Sequence, residues 1–144
     1  MKDIKIFIIG FLSAGCIFLM MGQSKGNLGH IEVKSISVKN SNGVETAWIG
    51  SGDTGVGFLE IYNSGGEKTI YIGTGASGDG FMKTFNGRGS ITTYSGTSDE
   101  GFGFLQTFNS YGKSSAYIGT SIYEQGLIMI NDKYGEPFWG EVAE

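Results

Sequence analysis

The chain has 144 residues, room for one domain with a core, and a net charge of −4. Its 26 glycines against a single proline are too many for an ordinary helical domain and lack the triplet and proline of collagen. Aromatics at 13% exclude a disordered glycine-rich linker, and a mildly acidic chain lacks the basic stripe that supplies most nucleic-acid affinity.

Residues 1–22 stand apart. Lys2 and Lys5 precede an apolar stretch from Ile6 to Met21, interrupted only by Gly10, Ser13 and Gly15. This pattern is that of a signal peptide or a membrane anchor, and it predicts a hydrophobic helix. The stretch is long for a signal core and slightly short for a span, which needs about 20 residues. Three readings are open: a cleaved signal, although Met20-Met21-Gly22 is a poor cleavage site; an uncleaved anchor; and a lipoprotein lipidated at Cys16. The Leu12-Ser13-Ala14-Gly15-Cys16 box fits the last only in part, because the apolar run continues past the cysteine.

Residues 23–34 are polar and read as a linker or a weakly paired first strand. The sole histidine, His30, lies here, and no cysteine follows residue 22. Disulfides, thiol chemistry and His/Cys metal centres are thereby excluded downstream. Without Lys2, Asp3 and Lys5 the chain keeps 8 basic and 13 acidic residues, a surface that favours solubility.

From residue 35 to 144 one spacing dominates. An Asn/Asp-x-x-Gly turn begins at Asn40, Asn63, Asn86, Asn109 and Asp132, 23 residues apart each time. A second glycine follows seven residues after each of the first four turn glycines, at Gly50, Gly73, Gly96 and Gly119. A period this short means units that cannot bury their own apolar surface and must stack on neighbours. Each unit reads as strand, tight turn, strand and longer loop. In the second unit these are Phe58 to Tyr62, Asn63 to Gly66, Glu67 to Ile72, and Gly73 to Gly80.

The turn has a mechanism. The Asn or Asp oxygen accepts a hydrogen bond from a backbone N–H two residues on, and the glycine supplies positive φ. That is the three-residue hairpin connection with a glycine bulge. The predicted fold is therefore all-β: an antiparallel β-meander of about five 23-residue hairpin repeats after an N-terminal helix. A β-solenoid with one coil per unit is the alternative.

Pairing about the turn is expected to set Leu59 opposite Tyr71 and Ile61 opposite Thr69. On the other face Phe58 meets Ile72, Glu60 meets Ile70, and Tyr62 meets Lys68. Equivalent positions then stack into rows, one aliphatic (Ile36, Leu59, Met82, Leu105, Ile128) and one of Phe58, Phe81, Phe104 and Leu127. Both faces are apolar, so the sheet is expected either to curl into a sandwich or barrel or to be covered by other copies of the chain.

Few residues carry chemistry. Asp53, Asp79, Asp99 and Glu100 fall between units but in different slots, which argues for solvated acids over calcium ligands. The run Gly73-Thr74-Gly75-Ala76-Ser77-Gly78 lacks the Lys-Ser/Thr ending and the helix of a phosphate loop. No catalytic residue, metal site or cofactor is expected. The candidate binding residues are Trp48, Tyr71, Tyr94 and Tyr117, which share one slot. With strands about 4.8 Å apart, their rings would stand roughly 10 Å apart in a line, a ladder able to stack on a polysaccharide. The competing reading is packing in a core or an oligomer interface.

Segments such as Tyr62-Asn-Ser-Gly-Gly-Glu-Lys-Thr-Ile-Tyr-Ile-Gly-Thr74 and Phe108-Asn-Ser-Tyr-Gly-Lys-Ser-Ser-Ala-Tyr-Ile-Gly-Thr120 resemble a group of uncharacterised bacterial exported or anchored proteins. That group has a hydrophobic N-terminus and short Asn/Asp-x-x-Gly β-hairpin repeats, over a stretch corresponding to about residues 31–136 here. The resemblance implies export and repeat architecture and brings no activity with it. The expectation is a protein secreted or anchored on the outer side of the cytoplasmic membrane, not an enzyme, with a structural or binding role in surface display or adhesion. Alternatives are a trimeric fibre or shaft segment joined through the aromatic face, and a glycan-binding module using the ladder. Expected partners are further copies of the chain or a polysaccharide, with the membrane for the N-terminal segment.

Overall fold

A computed structural model describes residues 2–21 and 29–143. The chain forms two compact units, Met1–Glu32 and Val33–Glu144. The first holds the helix α1, Lys2–Met21, whose side chains from Ile4 to Leu19 are exposed. No helix among the described residues is long and apolar enough to cross a membrane. The candidate cleavage site at Gly22 and the first part of the expected linker, through residue 28, lie outside the described residues.

The second unit is one open sheet of ten strands in sequence order, every neighbour antiparallel. The strands are β1 Ser35–Lys39, β2 Glu45–Ser51, β3 Gly57–Tyr62, β4 Lys68–Thr74 and β5 Gly80–Phe85. They continue with β6 Ile91–Thr97, β7 Gly103–Phe108, β8 Ser114–Thr120, β9 Gly126–Asn131 and β10 Pro137–Val142. The hairpin meander is thus the architecture, and sequential antiparallel pairing rules out the solenoid. The sheet does not curl: it is neither sandwich nor barrel. Among the described residues no side chain is fully buried.

The Asn turns have the geometry their residues dictate. Asn63 donates its N–H to the Glu67 carbonyl (2.9 Å) and accepts at its own carbonyl from Gly66 (3.0 Å). Its Oδ1 accepts from the N–H groups of Gly65 (2.9 Å) and Glu67 (3.0 Å), and Gly66 takes φ +87°. Asn40, Asn86, Asn109 and Asp132 repeat the pattern. The connections at the other end of the strands were expected to be longer loops, and they are not. Gly52–Val56, Gly75–Asp79, Ser98–Phe102 and Ser121–Gln125 close with the same two backbone hydrogen bonds. The strands simply run on through Gly73 and Thr74, so both ends carry tight five-residue turns.

The register also departs from expectation. Tyr62 pairs with Lys68 as the turn requires, but a β-bulge follows, and Ile61 faces Ile70, Glu60 faces Tyr71, Leu59 faces Ile72 and Phe58 faces Gly73. The same bulge recurs in the hairpins of Val38, Thr84 and Thr107. In β4 the extra residue is Thr69, whose hydroxyl donates to the Ile61 carbonyl (3.1 Å), as Thr46 does to Val38 (3.3 Å). A one-residue slip moves every later side chain to the opposite face. Tyr71 therefore leaves the face of Leu59 and joins that of Phe58. One face of the sheet is aliphatic and the other aromatic.

Candidate functional site: an aromatic rib on one face

The corrected register brings Trp48, Tyr71, Tyr94 and Tyr117 onto one face and into one line, all half-buried. Each is followed two residues later by a glycine on the same face, at Gly50, Gly73, Gly96 and Gly119. Trp48, Tyr71 and Tyr117 lean over that bare backbone, and Phe58, Phe81 and Phe104, which pair across from those glycines, fill the gaps. The result is a continuous rib ordered Trp48, Phe58, Tyr71, Phe81, Tyr94, Phe104, Tyr117. Successive ring centroids lie 4.6, 5.4, 5.2, 5.4, 4.8 and 6.0 Å apart. The pairs about Tyr94 meet edge to face (80° and 87°), while Phe58–Tyr71–Phe81 and Phe104–Tyr117 are stacked.

The glycines are required for this. A β-carbon on Gly73 would come within 2.7 Å of Phe58 Cβ and 2.8 Å of Tyr71 Oη. One on Gly119 would meet the Gly103 carbonyl oxygen at 2.7 Å and Tyr117 Oη at 2.7 Å. Sequence reasoning placed the tyrosines about two strands apart but missed the phenylalanines between them. The signal that could have shown it is the aromatic-x-Gly spacing itself, since a glycine inside a strand marks close approach of another group.

Beside the rib runs a polar lane. Glu60 stands opposite Tyr71, Lys83 lies between Tyr71 and Tyr94, and Gln106 lies between Tyr94 and Tyr117. Tyr62, Phe85 and Phe108 bound the lane on its far side. Glu60 accepts a hydrogen bond from the Tyr62 hydroxyl and forms an ion pair with Lys68. Burial, and then the hydrogen bond to Glu60, push the Tyr62 phenol up to about 12. The Lys83 ammonium lies 4.9 Å from the Phe81 ring centroid and 4.5 Å from that of Tyr94, close enough for cation–π attraction. Lys68, Tyr71, Phe81, Lys83 and Phe85 enclose a shallow depression of about 270 Å³ in the lane.

Elsewhere the chemistry is sparse. His30 is exposed, and among the described residues no three His, Cys, Asp or Glu side chains gather as metal ligands would. Asp53, Asp79, Asp99 and Glu100 sit in the tight turns at one long edge of the sheet. No protein-family model matches the chain, and no curated protein sequence is significantly similar to it.

Proposed function

We propose that the chain is an exported structural repeat protein: a non-enzymatic β-scaffold that works by surface contact, either secreted or held on the outer side of the cytoplasmic membrane. The observation that carries this reading is the single-layer sheet, in which every side-chain row lies at a surface. The N-terminal Lys2/Lys5 and apolar helix support export, acting as leader or anchor. Protease added to intact cells should then degrade residues 33–144, whereas a cytoplasmic protein of the same cells survives. Protection of the sheet unit until the cells are lysed would refute export.

A second reading, polysaccharide binding, is favoured by the lane. Aromatic walls over a floor of Glu60, Lys83 and Gln106 offer an extended sugar chain both apolar contact and hydrogen bonds. Ring faces within the stacked pairs are already in use, so contact would come from ring edges and the floor, not from an open ladder. Lys83→Ala/Gln106→Ala removes two of the three floor side chains and leaves the rings of the rib, and it should sharply weaken retention on immobilised cell-wall polysaccharide. Retention equal to that of the unmodified chain would refute this reading.

A further inference from the structure

The rib fills the gaps of the expected ladder, but the same two-strand spacing recurs, open, at the Asn-turn edge. The third residue of each Asn/Asp turn is Asn42, Gly65, Arg88, Tyr111 and Tyr134, so the last two tips each present a tyrosine. With strands about 4.8 Å apart, those two rings stand roughly 10 Å from one another. Tyr111 is 81% exposed and Tyr134 65%, whereas the rings of the rib are half-buried. Together with Lys113 and Lys133 they line a cleft of about 440 Å³. We propose that this cleft binds an uncharged polysaccharide, with a sugar ring stacked on each tyrosine.

The turns hold the walls of the cleft in place. Asn109 Oδ1 accepts from the N–H groups of Tyr111 (3.0 Å) and Lys113 (3.1 Å), and Asp132 Oδ1 from those of Tyr134 (2.8 Å) and Glu136 (3.0 Å). The two tips are also tied to each other. Asn109 Nδ2 donates to the Lys133 carbonyl (2.9 Å), and just behind the tips Asn131 Nδ2 donates to the Ser114 carbonyl (3.1 Å). The Lys113 stem lies close to Gly135, where an added β-carbon would stand 3.4 Å from Lys113 Cβ. A site braced in this way loses little freedom when it is filled.

The lining selects the ligand. Tyrosine rings offer flat apolar faces for the C–H faces of sugar rings, while phenol and ammonium groups donate to sugar hydroxyls. Lys133 covers one face of Tyr134, 4.9 Å from its centroid. Among the described residues no ring or ammonium lies against Tyr111. Charge argues against a polyanion: on the two tips Lys113 and Lys133 are cancelled by Asp132 and Glu136, in a chain of net charge −4. No aliphatic side chain lines the cleft, as one would in a groove for an acyl chain or an amphipathic helix. The ring spacing is about the length of two linked sugars, so a polymer reaches both rings and a single sugar only one. The lane supplies no residue to this cleft, and the inference does not rest on the lane binding anything.

Calorimetric titration of the full chain in a sugar-free zwitterionic detergent tests it, with cellohexaose and chitohexaose as probes. The Lys83→Ala/Gln106→Ala background removes the contribution of the lane. At least one hexamer should still bind there, about tenfold or more tighter than its disaccharide, and should stay bound in about 0.5 M salt. Adding Tyr111→Ala/Tyr134→Ala should lower the affinity about tenfold, with the urea midpoint unchanged because both rings are mostly exposed. If that variant unfolds, Arg88→Tyr serves in its place: a third ring in line should tighten binding of the hexamer and leave the disaccharide unaffected. Failure of both hexamers to bind would overturn the inference, as would equal affinity for hexamer and disaccharide, loss of binding in salt, or tyrosine variants without effect. Binding abolished by the lane substitutions alone would also overturn it, and would leave the lane as the sugar site.

Discussion

Replacing Gly73 by alanine should destabilise the sheet, although on propensity grounds it ought to help. Glycine inside a strand costs roughly 0.5–1 kcal/mol relative to alanine, so an unconstrained position would gain that amount. At Gly73 the new methyl would stand 2.7 Å from Phe58 Cβ and 2.8–2.9 Å from the Tyr71 ring. Phe58 Cβ is anchored to backbone, so that contact forces the strands to shift, and the Tyr71 ring must leave as well. Its departure disrupts contacts with Phe58 at 5.4 Å and Phe81 at 5.2 Å, each worth about 0.5–1.5 kcal/mol, on top of about 1–3 kcal/mol for overpacking. After the propensity gain, the net loss is about 1–5 kcal/mol. Urea denaturation of the full chain, followed by near-UV dichroism for the rib and far-UV for the strands, measures it. In Tyr71→Ala/Gly73→Ala the clash with the ring is absent while that with Phe58 Cβ remains, so Gly73→Ala should cost less on that background but still destabilise. A Gly73→Ala chain that is as stable as its parent, or more so, would refute the account of the rib.

The turns, the rib and one half-buried phenol supply further expectations. Asn63→Ala removes the acceptor of two backbone N–H groups and should cost about 1–2 kcal/mol in the same denaturation assay. Glu124 takes φ +62° where Gly55, Gly78 and Gly101 hold the equivalent place, so Glu124→Gly should raise stability by about 0.5–1 kcal/mol. Tyr94→Leu breaks two ring contacts and Tyr117→Leu only one, so the former should lower the urea midpoint more. The Tyr62 phenol titrates at about 12 in the sheet, against 10.0 ordinarily. The folded chain therefore holds a proton that the unfolded chain has lost, and stability should fall as pH rises from about 10 to about 12. Absorbance at the tyrosinate band should show that Glu60→Gln moves this titration downward.

The turns were the most legible part of the sequence because their chemistry is local. An Asn Oδ1 reaching N–H groups two and four residues on needs nothing from the rest of the chain, and five copies at one spacing fix the hairpins. The face of each return strand was not legible, because it depends on a bulge. Nothing local marks Thr69 as the extra residue except a hydroxyl able to reach the Ile61 carbonyl, and threonine occurs in many unbulged strands. That single residue decided whether Tyr71 would lie beside Leu59 or beside Phe58. The tyrosine slot itself was visible, and so was the glycine two residues on. Their connection was hidden because the expected register ended the strand before Gly73 and gave that glycine to a loop.

The rib also accounts for how a sheet without a buried core can be specified. Six ring contacts at about 0.5–1.5 kcal/mol each contribute roughly 3–9 kcal/mol beyond area burial, a sum comparable with the whole stability of an ordinary domain. Because Trp48, Tyr71 and Tyr117 sit over glycines and the rings interlock across neighbouring strands, the contacts also enforce register, which a glycine-rich sheet would otherwise hold weakly. This work falls on one face alone. The aliphatic rows behind it contribute little to a lone sheet, since Ile72 and Ile118 remain 44% and 51% exposed.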